Sequence, residues 1–480
     1  MSRILIYLIF YFIVAIPSHA SNIKKPNVLF ILVDDLRVEL GVYGAQHVKS
    51  PHIDQLAATG TRFANAYVSV PVCGASRASL LTGMRALPDR FKSYYTWVEK
   101  DAPEAITLFE QFKKNGYYTV GFGKIFHQAQ DTAKKSWSTG TAPVLGSNQD
   151  PSSTTGWRDY QRPENIALYK KIKHGPSTEI FDGLDESYID GKIAKKAIST
   201  ISKLAKLDQP FFVAVGFVKP HLPFNAPKKY WDMYDADQFN LPYDVDDDPR
   251  YNLPKHAPDK AYHHYNELRA YSDMPEKPMP INAEKGRRLI HGYHASVSYV
   301  DAQVGKVLAE LDRLGISDNT IVVLLGDHGY SLGEHGLWCK HSTFDVATKT
   351  PLIVRAPNMP QNQTVEGLVE FIDVFPTLTD LAGIPTPEQV AGISLASHLK
   401  DESFPAKVAV FPRYLSAEAI HTEQYTLTQW YNKQGLVAAE MLYDNINDPD
   451  ETINLANLPD YQSIRKDLES QLKRHMTSRR

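Results

Sequence analysis

The sequence predicts an α/β fold built on a largely parallel sheet, followed by a smaller α+β unit. Three observations carry this. Asn27-Val28-Leu29-Phe30-Ile31-Leu32-Val33 is an unbroken apolar run that halts at Asp34-Asp35, and residues 320–325 halt in the same way at Gly326-Asp327-His328. Apolar runs without alternation mark strands covered on both faces. Between them, Val297, Val300, Val304, Leu308, Leu311 and Leu314 repeat at helical spacing and close at Gly315, the helix that a parallel crossover needs. From about Val408, short strand-like segments succeed one another.

Taken in order, the chain begins with Arg3, an apolar run over residues 4–16, and Ser18-His19-Ala20. This is the layout of a cleaved secretory signal over residues 1–20. The run falls short of the ~20 residues that a membrane span requires, so the expectation is a periplasmic or secreted chain with no stable membrane anchor. Residues 21–400 form the expected main domain and 401–480 the smaller C-terminal one. Cys73-Gly74-Ala75-Ser76-Arg77-Ala78-Ser79-Leu80-Leu81-Thr82 reads as a short helix that Gly83 closes. Residues 118–120 lead through Gly121 and Gly123 to Lys124 and His127, and residues 211–215 lead to Lys219-Pro220-His221. Residues 227–285, with Asp246-Asp247-Asp248, many prolines and many tyrosines, read as a long irregular insertion. His263-His264 within it are adjacent and share no helix face, so a solvated or substrate-lining loop precedes a ligand pair as the reading.

Composition narrows the function. The 480 residues are 43% hydrophobic and 22% charged, an ordinary globular balance with enough length for a large core. Lys+Arg 52 against Asp+Glu 55 gives a net charge of −3, so no positive field draws nucleic acid. Only Cys73 and Cys339 are present, which excludes a disulfide scaffold. Cys339 reads as a free buried thiol beside the pocket wall.

Four strand-like runs thus deliver acids, lysines or histidines just past their C-terminal ends, where open α/β sheets bind ligands. Adjacent acids at the edge of a core need compensation, and a bound cation is the simplest form of it. Cys73 at a helix amino end could be a nucleophile of lowered pKa; taken alone it reads as a packing cysteine.

The motif around it changes that reading. Cys73-Gly74-Ala75-Ser76-Arg77 resembles the Cys-x-Pro/Ala-x-Arg signature at which type I sulfatases have their cysteine oxidised to formylglycine. The resemblance runs from Pro26-Asn27-Val28-Leu29 and Asp34-Asp35 through Pro51-His52-Ile53-Asp54 to Gly326-Asp327-His328-Gly329, Gly333-Glu334-His335-Gly336 and Leu442-Tyr443-Asp444. Gly123-Lys124-Ile125-Phe126-His127, Lys219-Pro220-His221-Leu222-Pro223-Phe224 and Phe344-Asp345-Val346-Ala347-Thr348 are similar to the iduronate-2-sulfatase-like branch.

This resemblance implies an alkaline-phosphatase-like fold: a large mixed sheet flanked by helices, with a smaller C-terminal α+β domain. It implies that Cys73 becomes formylglycine through a formylglycine-generating or sulfatase-maturing enzyme. The hydrated aldehyde then attacks sulfur with one hydroxyl and expels sulfate with the other. Asp34, Asp35, Asp327 and His328 would hold one divalent cation with modified Cys73; the oxygen-rich set favours Ca²⁺, while His328 keeps Mg²⁺ open. Arg77 would hold the diol oxygens, Lys124 and Lys340 the sulfate, Asp327 and His127 would act as bases, and His221 as general acid toward the leaving group. The implied substrate is a sulfated carbohydrate, with a 2-sulfate on a uronic acid or pentose as one form. The competing readings are a phosphonate or phosphodiester hydrolase on the same fold and a non-catalytic glycan-binding protein.

Overall fold

In the computed structural model, residues 25–242, 252–263, 265–276 and 279–478 are described. The signal-peptide reading of residues 1–20, Asp246-Asp247-Asp248 and His264 lie outside them. Seven strands make the main sheet: β1 (Asn27–Val33), β2 (Thr61–Tyr67), β3 (Tyr118–Gly123), β4 (Phe211–Phe217), β5 (Thr320–Gly326), β6 (Leu352–Arg355) and β7 (Gln363–Glu370). Their order is β7-β2-β6-β5-β1-β4-β3. All neighbouring pairs are parallel except those of β6, which runs antiparallel to β2 and β5.

Register decides where the polar residues emerge. Val33 pairs with Phe217 on one side and with Gly326 on the other, and Gly123 pairs with Gly216. β1, β3, β4 and β5 therefore end level, and the residues that follow each strand come out along one edge. Gly123 has φ +72, and a Cβ there would lie 2.0 Å from the Gly216 carbonyl. Only glycine fits, and Lys124 follows directly.

Alternation along β1 feeds two cores. Leu29, Ile31 and Val33 join one with α2 (Ile189–Leu204) and α3 (Ala283–Arg313), through Ile193, Ala197, Val297 and Val304. Val28, Phe30 and Leu32 join the other with Leu80 and Leu81 of α1 (Cys73–Thr82), Phe109 and Leu378. Each fully buried side chain of this kind contributes ~1.5–3 kcal/mol, so the sheet is a rigid base for its edge. The long helix closes near the expected place, with Gly315 at φ +66, but it starts at Ala283, well before Val297. Its first half buries His291, Tyr293, His294 and Ser296, polar residues that hide an apolar stripe.

A second sheet is built from Ala409–Val410, Ala417–Thr422, Tyr425–Tyr431 and Val437–Asp444, with Arg413–Tyr414 beside the second of these. Leu468 and Leu472 of the final helix, Gln462–Ser478, pack on its Ile420, Leu427 and Leu442. Lys407 ties the start of this region to the main sheet through Glu370 at 2.6 Å and Asp373 at 2.7 Å. The described part of residues 227–285 holds only short helical turns, among them Lys228–Trp231 and Leu268–Ala270.

Candidate active site

The level strand ends bring Asp34, Asp35, Asp327 and His328 together, all fully buried. Asp34 N–H donates to the Phe217 carbonyl at 3.1 Å and Asp327 N–H to the Val33 carbonyl at 3.0 Å, which continues the ladders by one residue. Asp35 turns out at φ 59 and donates its N–H to Asp327 Oδ1 at 2.9 Å. His328 Nδ1 lies 2.8 Å from the Gly329 carbonyl. Its Nε2 faces Cys73 Sγ at 3.2 Å, Asp35 Oδ1 at 3.4 Å and Asp327 Oδ1 at 3.6 Å. An imidazole whose far nitrogen is tied to a carbonyl presents the other as a ligand.

Cys73 opens the helix Cys73–Thr82, in which every residue is buried, and Gly83 at φ 66 caps its other end. Burial alone would raise the thiol pKa; Lys124, Lys340 and His328 outweigh it and hold it well below the ordinary thiol range. His127 lies beside the same sulfur, and burial pushes its pKa down. Its Nδ1 is buried without a hydrogen-bond partner.

Arg77 sits one turn along this helix and is fully buried. Its Nε donates to Asp327 Oδ2 at 2.8 Å, Nη2 to Asp34 Oδ1 at 2.8 Å, and Nη1 to the carbonyls of Lys124 and of Ile125. In this position it braces two carboxylates and the Lys124 backbone. Lys124 in turn ion-pairs with Asp34 Oδ2.

Burial pushes Asp327 up to about 7, against the pull of His328 and Arg77. Asp35 is likewise raised by burial despite His221 and Lys340. Buried carboxylates whose proton affinity stays raised beside the chain's own cations have room for more positive charge. With His328 Nε2 aimed among them, the donor set fits a divalent cation held by carboxylate oxygens and one imidazole.

Lys340 Nζ reaches both Asp35 oxygens, at 3.0 and 2.9 Å, and Glu267 Oε1 at 3.0 Å. His221 Nε2 is 2.9 Å from Glu267 Oε1 and 3.9 Å from Asp35 Oδ2, while Nδ1 lies 2.7 Å from the Leu222 carbonyl. Burial opposes the charge of His221, yet Asp35 and Glu267 hold its pKa up to about 10. Glu267 was not among the sequence-predicted residues. It is a single acid within the irregular insertion, and nothing in its local pattern marks it.

These groups form the floor of a cleft of about 410 Å³. Tyr94, Trp157, Arg158, Tyr265 and His341 line its walls, and sequence reasoning singled out none of them. The Trp157 ring meets His221 edge to face at 4.9 Å, and Arg158 lies 4.3 Å over the Trp157 ring. His263 lines neighbouring clefts and stands 6.0 Å from the His341 ring. Cys339 is a free buried thiol that accepts from Tyr330 Oη at 3.3 Å, and burial raises its pKa.

Comparison with known proteins gives two family models over this chain: Sulfatase, over residues 26–384, and N-sulphoglucosamine sulphohydrolase, C-terminal, over residues 333–478. Iduronate 2-sulfatase of Mus musculus is 32% identical over 472 residues, spanning 87% of this chain and 83% of its own length. Among solved structures, a phosphonate monoester hydrolase of Agrobacterium radiobacter superposes with a TM-score of 0.75 at 20% identity, covering 95% of this chain and 96% of its own. A 2-O GAG sulfatase superposes with a TM-score of 0.68 at 25% identity, covering 95% of this chain and 93% of its own.

Proposed function

We propose, for a chain that belongs to the sulfatase family, in its iduronate-2-sulfatase-like branch, and is therefore a sulfuric ester hydrolase with the alkaline-phosphatase-like fold, that it removes sulfate from a sulfated carbohydrate outside the cytoplasm. The observation that carries this reading is Cys73 at a helix amino end, 3.2 Å from His328 Nε2, beneath an aromatic-walled cleft. The residues 1–20 read as a secretory signal support the location.

Cys73 matures to formylglycine, which supplies hydroxyls where a thiol would serve poorly. The whole helix Cys73–Thr82 is buried, so the maturing enzyme acts before this segment packs. Asp34, Asp35, Asp327 and His328 would hold the cation, with Ca²⁺ favoured by the oxygen-rich set; when bound, it would polarise the sulfate and lower the pKa of an attacking hydroxyl. Lys124 and Lys340 neutralise the sulfate oxygens. Asp327 takes the proton of the attacking hydroxyl. His127, kept neutral by burial and with a free Nδ1, takes the proton of the second. His221 stays protonated beside Glu267 and gives its Nε2 proton to the departing sugar oxygen.

The cleft walls favour an acidic sugar. Arg158, stacked on Trp157, has no carboxylate partner among the described residues and its nearest polar contact is Tyr169 Oη at 3.4 Å. A uronate carboxylate is the group a guanidinium in that position takes. The similar proteins named for iduronate 2-sulfate and 2-O GAG sulfate agree with a 2-sulfated uronic acid. Turnover of defined sulfated oligosaccharides by matured protein tests this, with aryl sulfate compared against aryl phosphate mono- and diesters. Preference for the phosphorus esters would replace the reading with a phosphonate or phosphodiester hydrolase.

A further inference from the structure

A second convergence of ligating side chains lies away from the sulfate cleft. Glu39 follows the β1 acids, His47 sits in the turn before the helix Pro51–Ala58, and His294 is on α3. Their ligand atoms all fall within 4.8 Å of one another. None of the three lines the catalytic cleft; with Tyr234 and Phe239 they line a separate one of about 550 Å³.

Two of these side chains lack hydrogen bonds that burial demands. His294 is 1% exposed, and among the described residues neither ring nitrogen has a hydrogen-bond partner; Glu39 Oε2 is also buried without one. Yet His294 Nε2 stands only 3.3 Å from Glu39 Oε2. A nitrogen and an oxygen that face each other at that distance, misaligned for a hydrogen bond, recover only part of their desolvation penalty. A shared cation removes it. His47 Nε2 completes the set, 3.0 Å from Glu39 Oε1.

We propose that Glu39, His47 and His294 bind one transition-metal dication, with Zn²⁺ the best match. Two imidazoles and one carboxylate are a zinc donor set, whereas Ca²⁺ and Mg²⁺ ask for oxygens. Bonds of ~2.0–2.1 Å in a tetrahedron place ligand atoms about 3.3 Å apart; His47 Nε2 stands 3.0 Å from Glu39 Oε1 and His294 Nε2 3.3 Å from Glu39 Oε2. Arg37 Nε also approaches Glu39 Oε2, at 3.3 Å, but its guanidinium pairs with Glu334 at 2.7 Å. Arg37 therefore shares its charge between Glu334 and Glu39.

The ion would fasten the segment that carries the catalytic acids. Tyr293, the neighbour of His294, donates its hydroxyl to the Asp35 carbonyl at 2.7 Å and accepts from the Arg37 N–H at 3.0 Å. A metal on His294, Glu39 and His47 pins the same stretch to α3 a few residues further on.

The test uses purified protein without a polyhistidine tag, saturated with Ca²⁺ and then dialysed against Zn²⁺ or Co²⁺. One zinc per chain should remain by elemental analysis, and Co²⁺ should show the visible absorption of a tetrahedral nitrogen and oxygen site. His47→Ala changes a side chain that is 52% exposed, so the fold survives, and it should weaken zinc at least ~10–100-fold, the loss that changes behind a ligand alone produce. His294→Gln should do the same, while Asp327→Asn, in the catalytic cluster, should keep the zinc. Equal zinc retention in wild type and His47→Ala, loss of zinc in Asp327→Asn alone, or no zinc bound by wild type would each overturn the proposal.

Discussion

Replacing His221 by alanine separates proton donation from anion binding. Nδ1 is held by the Leu222 carbonyl at 2.7 Å, so Nε2 is the nitrogen that faces the cleft, and in the free protein it rests on Glu267 at 2.9 Å. Burial works against its charge, but Asp35 and Glu267 keep its pKa at about 10, which leaves the donor form resident at neutral pH. A sugar hydroxyl is a poor leaving group and needs that proton; nitrophenolate leaves without it. General acid catalysis contributes ~10²–10⁴-fold, equivalent to about 3–5 kcal/mol of barrier. His221→Ala should therefore lower kcat on a sulfated oligosaccharide by that factor and leave nitrophenyl sulfate turnover far less affected. Lys340 touches both Asp35 and Glu267, so those acids keep a cationic partner in the variant, and unchanged metal content and melting temperature are the controls. An equal loss on both substrates, with the controls unchanged, would refute the assignment and make His221 a sulfate binder.

Three further outcomes are expected. Peptide mass spectrometry of active protein should show residue 73 as the aldehyde, and Cys73→Ala should keep glycan binding while losing desulfation; full activity with only the thiol present would refute the mechanism. Thorough chelation should abolish turnover, and Asp327→Asn, which leaves Arg77 Nε without its anionic partner, should lose both metal and activity; an unchanged rate after chelation would remove the cation from the scheme. Away from the site, burial alone would raise Glu370, but Lys407 and Arg85 hold it down to about 2. Its folded pKa lies below the unfolded value, so its contribution is complete above about pH 4.5 and is lost as the pH falls toward 2. Lys407→Met strands part of a buried charge cluster and should cost about 3 kcal/mol in urea unfolding at pH 7; a change below 0.5 kcal/mol would contradict that.

Of the strands legible in the sequence, β1, β4 and β5 are buried along their whole length. β1 and β5 are uninterrupted apolar runs, and the abrupt change to acid at their ends marks the sheet edge on which the site is built. β2, β6 and β7 were not legible. Thr61–Tyr67 alternates irregularly between buried and half-buried positions, Leu352–Arg355 is only four residues long, and Gln363–Glu370 is an edge strand half open to solvent. Such segments take their structure from their neighbours more than from their own pattern.

The same division runs through the site. Asp34, Asp35, Lys124, Asp327 and His328 follow directly from strand ends, so parallel register alone makes them converge, and spacing in the sequence is enough to nominate them. Glu267, Trp157 and Arg158 reach the cleft from irregular segments whose position is set by long-range packing. Arg77 is an intermediate case: the helix fixes its direction, and only the structure shows that its guanidinium is engaged with Asp34 and Asp327. The candidate cation ligands therefore stand on rigid strand ends, whereas Glu267, Trp157 and Arg158 stand on irregular segments. Changes in the segments around Glu267 and Arg158 are therefore expected to alter which ester is accepted while the strand ends that carry Asp34, Asp35, Asp327 and His328 stay in place.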